Sequence, residues 1–146
     1  MTEIIANKIN ALCNTVPAKL RMIPEEHLCL KQSPDKWSKK EILGHLIDSA
    51  TNNHQRFVRA QFETPVIYYD QNHWVKLQNY QQENTEILIN LWEIYNRHLV
   101  HVVNQIPHRV LLKTSLDKMG NSNTLKFLIE DYLNHLEHHL NQIIEL

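Results

Sequence analysis

Two glycines in 146 residues leave the chain almost no positions free to take left-handed backbone. Tight two-residue hairpins and phosphate-cradling loops therefore have little to be built from. Helices joined by longer connections remain, and the apolar periodicity agrees. Residues 3–22 carry Ile4, Ile5, Ile9, Leu12, Val16 and Leu20, followed by Ile23, at helical steps. That spacing predicts an amphipathic helix, with a kink or restart at Pro17. Residues 24–36 read as a connector with one helical turn after Pro24. Ser38-Lys39-Lys40-Glu41 has the form of a capping box and opens a second helix over about residues 39–62. Its predicted buried stripe is Ile42, Leu43, Leu46, Ile47, Ala50, Phe57 and Val58.

Residues 63–80 hold aromatics and Pro65 without a clean period, which predicts a functional loop or a packed lid. A third helix over about 82–105 uses Ile87, Leu88, Leu91, Ile94, Tyr95, Leu99 and Val102, and stops before Pro107. After a second long connection, Asn123 or Thr124 caps a fourth helix over about 125–145. Leu125, Leu128, Ile129, Tyr132, Leu133, Leu136, Leu140 and Ile143 lie along its inner side. Four helices of about 20 residues, in a chain 42% apolar, predict an all-α four-helix bundle in one domain over residues 1–146. Connections this long leave the order of the helices around the bundle open.

Charge narrows the function. Fifteen Lys+Arg against 16 Asp+Glu argue against binding nucleic acid through a basic face. No apolar run is long enough to span a membrane. The start, MTEIIANKIN, lacks the basic and apolar regions of a signal peptide. Only Cys13 and Cys29 are present, both in helix-like sequence, so a disulfide framework is not expected and a reducing cytoplasm is the expected location.

Histidine is the unusual component, with ten in the chain. The fourth helix ends in His135-Leu136-Glu137-His138-His139, and residues four apart on a helix can share one ion. At about 100° per residue, His135 and His139 fall at the edge of the apolar stripe while His138 turns to water. Two imidazoles leave a site incomplete, so a third ligand from another helix is required. His45, His54, His98 and His101 are the candidates. His54 lies close to the core stripe of its helix, and His98 with His101 reads as a surface or packing pair. His45 lies about 140° from the stripe centre, among Glu41, Asp48, Ser49 and Asn52, and periodicity alone does not select it.

Trp37-Ser38-x-x-Glu41-Ile42-Leu43-Gly44-His45-Leu46-x-Asp48-Ser49, followed by His135-x-x-His138-His139-Leu140-x-Gln142-Ile143, resembles the DinB superfamily. Within it the sequence is most similar to the YfiT-like metal-dependent hydrolases, a branch that includes bacillithiol S-transferases. The stretch Tyr69-Asp70-Gln71-Asn72-His73-Trp74 is also similar to that branch, and the resemblance extends over about residues 3–145. It implies a four-helix bundle, often dimeric, with a metal triad falling on His45, His135 and His139. His138 matches a family histidine that is not normally a ligand. With His45 off the apolar stripe, such a site would open toward a groove at the side or end of the bundle.

A His₃ site with a free position is the catalytic pattern, whereas structural zinc is closed by four protein ligands. Bound there, zinc or nickel (imidazole suits both) would make a water or a thiol acidic enough to act near pH 7. The resemblance therefore implies a hydrolase, or a transferase passing a low-molecular-weight thiol to a small-molecule electrophile. Glu41, Asp48 and Asp131 are candidates to orient the imidazoles. Tyr68, Tyr69, His73, Trp74 and Trp92 are candidate pocket walls. No serine or cysteine nucleophile is legible. The alternative is a non-catalytic bundle that binds metal or pairs with a second copy as a homodimer.

Overall fold

In the computed structural model, which describes residues 1–146, the helices are α1 (Thr2–Arg21), α2 (Glu25–Cys29), α3 (Lys39–Arg59), α4 (Gln71–Gln78), α5 (Thr85–Gln105) and α6 (Leu125–Leu140). Strands β1 (Thr114–Leu116) and β2 (Ser122–Thr124) form one antiparallel hairpin, with Thr114 opposite Thr124. The helix starts follow side-chain chemistry. Ser38 accepts from the Glu41 N–H at 3.1 Å and the Glu41 carboxylate accepts from the Ser38 N–H at 3.0 Å, completing the capping box of α3. Asp70, Asn84 and Thr124 cap α4, α5 and α6 by accepting from the N–H three residues on.

Four long helices make the bundle. α1 packs on α5 and α6, and α3 packs on the same two, so the cyclic order is α1–α5–α3–α6. The first two long helices in the sequence thus face each other across a diagonal. Thirty-one buried residues form one apolar cluster, with Phe57, Trp92 and Tyr132 among the largest side chains at its centre. The Tyr132 hydroxyl donates to Asn96 Oδ1 at 2.6 Å, and Asn96 Nδ2 donates to the Trp92 carbonyl at 2.9 Å. Two buried polar groups of the core are thereby satisfied together, while the Trp92 indole N–H has no partner.

α1 runs through Pro17 without the restart that is one of the two expected outcomes, and the proline is buried. A proline cannot donate to the carbonyl four residues back, here that of Cys13. Arg97 Nη2 from α5 donates to that carbonyl at 3.3 Å, and the same guanidinium reaches Asn10, Asn14 and Glu93. The orphaned acceptor has a partner from across the helix pair.

The stripe on α5 also differs from the sequence reading. Leu88, Ile89, Trp92, Asn96, Leu99 and Val103 face inward, while Ile87, Leu91 and Ile94 are exposed. Isoleucines and leucines occupy both sides of this helix, so periodicity alone placed its inner face about one residue off. Val58 and Ile4, predicted inside, are exposed as well.

The connection after α3 is not a bare loop. Asp70 caps the short α4, and Asn79, with φ of 46°, turns the chain into a 3-10 turn at Tyr80–Gln82. Gly44 makes room for this layer: a Cβ there would come within 2.1 Å of the Tyr80 ring. Pro65 and Ile67 bond to Leu116, anchoring the start of the segment beside β1. Its second half, together with α2, covers the polar face of α3, which explains why Ser49, Asn52 and Asn53 are buried there alongside the apolar stripe. No helix is long and apolar enough to cross a membrane.

Candidate metal centre

On α3, residues 41, 45, 48, 49, 52 and 53 share a flank that periodicity marks as polar. The structure buries all six, and His45 has 0% exposure. Opposite, α6 presents His135 and His139, both half-buried, while His138 faces solvent. The three rings converge. His45 Nε2 lies 3.1 Å from His135 Nε2, and one nitrogen from each of the three histidines falls within 4.8 Å of the others. Ring centroids are 4.5–5.0 Å apart with the planes steeply inclined. Nitrogen atoms directed at a common point in this way suit ligands of one cation.

Electrostatics favour the ligand form. Burial pushes the His45 imidazole down to about 3, with the neighbouring His135 and His139 adding to it. His135 falls to about 4, again mainly by burial, and His139 is lowered by burial against the opposing effect of its bond to Gln142. All three rings are neutral near pH 7, as metal binding requires. The residues fit a soft-to-borderline divalent ion with imidazole ligands, and no cysteine or carboxylate joins the group.

The ring nitrogens that point away from the centre are held differently from the sequence expectation. His139 Nδ1 donates to Gln142 Oε1 at 2.8 Å, which leaves Nε2 with its lone pair. His135 Nδ1 lies 3.4 Å from the Ser49 hydroxyl, and Asn53 Nδ2 donates to that same hydroxyl at 3.3 Å. His45 Nδ1 is buried with no partner. None of Glu41, Asp48 and Asp131 bonds a ring. Glu41 serves the α3 cap and pairs with Lys31 at 3.1 Å. Asp48 accepts from the Tyr80 hydroxyl and from Gln78 Nε2, pinning the covering segment, and burial raises its carboxyl above the usual range. Asp131 lies on the exposed side of α6. Orientation of the rings thus falls to a hydroxyl and an amide. Gln142 sits one turn beyond His139 and Ser49 one turn beyond His45, a spacing that could have found them.

The predicted pocket walls divide. Tyr69 is half-buried against Trp74, with ring centroids 5.4 Å apart, and its hydroxyl adjoins Ser49. Tyr68 is exposed with the Lys118 ammonium 4.4 Å above its ring, and His73 pairs with Asp70 on the surface. Tyr68 and Tyr69 line a small surface cleft with Asp70. Trp92 is fully buried in the bundle core, with no exposed surface. The sequence reading overlooked the aromatic nearest the triad as a wall: the Trp37 ring lies 4.8 Å from that of His45, the planes tilted by 36°. A cleft of about 480 Å³ opens beside it, at the bundle end where the α2–α3 connection meets the end of α6, and His139 forms part of its wall. Cys13 and Cys29 take no part. Burial pushes the Cys13 thiol up to about 11, and burial with the adjacent Glu25 raises that of Cys29.

The sequence model of the DinB superfamily matches residues 13–143. This chain belongs to that superfamily. Among solved structures, the DinB-superfamily chain is similar to YfiT from Bacillus subtilis, described as a probable metal-dependent hydrolase with an unusual four-helix bundle topology. The TM-score is 0.81 at 21% identity, over 94% of this chain and 83% of that one. It is also similar to a mycothiol-dependent maleylpyruvate isomerase, with a TM-score of 0.77 at 12% identity. That match covers 97% of this chain but 59% of the isomerase, so the chain spans little more than half of that protein. Both likenesses establish the four-helix bundle fold. No curated protein matches the chain.

Proposed function

We propose that this DinB-superfamily chain is a metal-dependent enzyme in which His45, His135 and His139 hold one zinc or nickel ion. The observation that carries the reading is a set of three neutral, convergent imidazoles, one buried and two half-buried, with no fourth protein ligand beside them. A structural zinc site would be closed by four side chains, whereas three ligands leave a position for a small molecule. A divalent ion there supplies Lewis acidity, enough to yield a water- or thiol-derived nucleophile near neutral pH. Around it, Gln142 fixes the tautomer of His139, Ser49 lies against His135 Nδ1, and Trp37 with the burial of His45 excludes water from the inner side. Hydrolysis, or transfer of a low-molecular-weight thiol of the bacillithiol kind to an electrophile, fits such a centre.

The test begins with elemental analysis of protein purified without a polyhistidine tag, beside His45→Ala. About one zinc or nickel per chain is the expected content, absent in the variant. A wild type that folds, carries no metal and takes up none on titration would overturn the proposal. Loaded protein is then screened for ester hydrolysis and for thiol transfer to epoxides and alkyl halides.

Self-association is part of the same reading, with the site in a cytoplasmic homodimer. Support comes from Ile87, Leu91 and Ile94, an exposed stripe on α5 that no other element covers. Sedimentation of wild type beside Ile94→Glu checks it. A dimer converted to monomer is expected, and an unchanged mass in the variant would refute this surface.

A further inference from the structure

The cleft beside His139 has a charge pattern that the metal reading does not explain. Lys36 and Lys39 both line it, together with His27, and no aspartate or glutamate does. Neither lysine is paired with a carboxylate elsewhere. Their neighbours Lys31 and Lys40, by contrast, are each in an ion pair, with Glu41 and Glu25. The chain as a whole carries a formal charge of −1, so two lysines without a carboxylate partner lining one concavity are a local excess.

Trp37 sharpens the contrast, because it is a wall of two clefts. On its other side, Lys31 and Lys76 are balanced by Asp35 and Glu41. Only the side that includes His139 is basic alone. Its remaining surface is mixed, with the Trp37 ring and Ile42 giving it an apolar component. A water molecule or a bare ion needs no such surface. Positive charge over an apolar wall, ending on a metal-competent imidazole, suits an organic acid.

We propose that this cleft binds a small organic anion, its acid group held by Lys36 and Lys39 and its body against Trp37 and Ile42, so that a further donor atom of the same molecule reaches the histidine centre. This rests on the metal reading above for the final contact, and it narrows the substrate class to acidic molecules. Lysine contributes point charge without the fixed fork of arginine, so the cleft selects for charge more than for the shape of the acid group. The attraction is partly solvent-exposed and is screened by salt.

The test uses two thiols on cobalt-loaded protein, read by the thiolate–cobalt absorption and compared at equal thiolate concentration. Mercaptosuccinate, which carries two carboxylates, is expected to bind about fivefold to tenfold more tightly than neutral 2-mercaptoethanol at low salt. Replacing both lysines (Lys36→Gln with Lys39→Gln) should bring the two affinities together while cobalt content and thermal unfolding stay as in wild type. Equal binding of the two thiols by wild type, or a preference that survives the double replacement, would overturn the proposal. A second arm separates this outcome from failure of the metal reading. Metal-free protein is titrated with succinate, and the Trp37 indole N–H is followed by NMR. A shift that is lost in the double variant supports the anion cleft even if the protein takes up no cobalt. No shift in wild type counts against it.

Discussion

α3 carries a histidine on each of two flanks, and each lies beside a helix that bears a closely spaced histidine pair. His45 meets His135 and His139 on α6, whereas His54 meets only His98 on α5, which in turn stacks on His101. The residue types and the spacings of three and four are alike, yet the two groups differ in kind. The first is covered by Trp37 and the α2–α3 connection, and its nitrogens converge. In the second, His98 and His101 are exposed and stack at 6.2 Å, and His54 Nδ1 is engaged by the Tyr95 hydroxyl at 2.9 Å. What separates a ligand set from a histidine-rich seam is the layer over it, which removes water from the rings and leaves them directed at one another.

The largest expected effect tests that separation directly. His45→Ala should abolish metal uptake and His54→Ala should leave it unchanged, both read by elemental analysis of dialysed protein. Equal losses would erase the distinction between the two flanks. Next come the groups that orient the rings. Gln142→Ala and Ser49→Ala should each weaken metal affinity by about tenfold to a hundredfold in competition with a chromophoric chelator, and Tyr95→Phe should do nothing.

Acid should separate the flanks as well. His45 and His135 ordinarily take up protons near 6.5, but in the fold they do so only at about 3 and about 4. Below 6.5 the unfolded chain therefore binds more protons than the folded one, and the metal-free protein loses stability as pH falls toward 4 and then 3. The urea midpoint of wild type should drop between pH 7 and pH 5, and His45→Gln should flatten that drop more than His54→Gln. A smaller effect is expected at the α3 cap, where Ser38→Ala should cost about 1 kcal/mol in chemical unfolding without altering metal content. The smallest belongs to His138→Ala, which should retain the ion in full, since that ring faces solvent beside the centre.

How much of this was legible in the sequence varies by element. Every residue assigned to the inner side of the last helix is buried, from Leu125 to Ile143, because nearly all apolar residues there occupy one side, with Phe127 the exposed exception. The capping box at Ser38 and Glu41 is present as spaced. On α5, apolar residues lie on both sides, and Ile87, Leu91 and Ile94 turned out exposed. His45 could not be selected by periodicity, since a rule that sorts inside from outside assumes one covered face per helix. α3 is covered on its polar face too, by α2, by α4 and by the 3-10 turn at Tyr80. The family pattern, and not the period, singled out His45, which the fold brings beside His135 and His139. The orienting groups went unread because carboxylates are the usual partners of ligand imidazoles, and here an amide and a hydroxyl take that place.

The guanidinium of Arg97, which completes α1 at Pro17, ties two distant positions into one unit of inheritance. With proline at 17, any substitution at 97 strands the Cys13 carbonyl in a half-buried seam. With alanine at 17, a backbone N–H would take that carbonyl, and position 97 would be held only by its bonds to Asn10, Asn14 and Glu93. The effect of a change at either position thus depends on which residue occupies the other, an epistasis across 80 residues of chain that follows from one missing hydrogen.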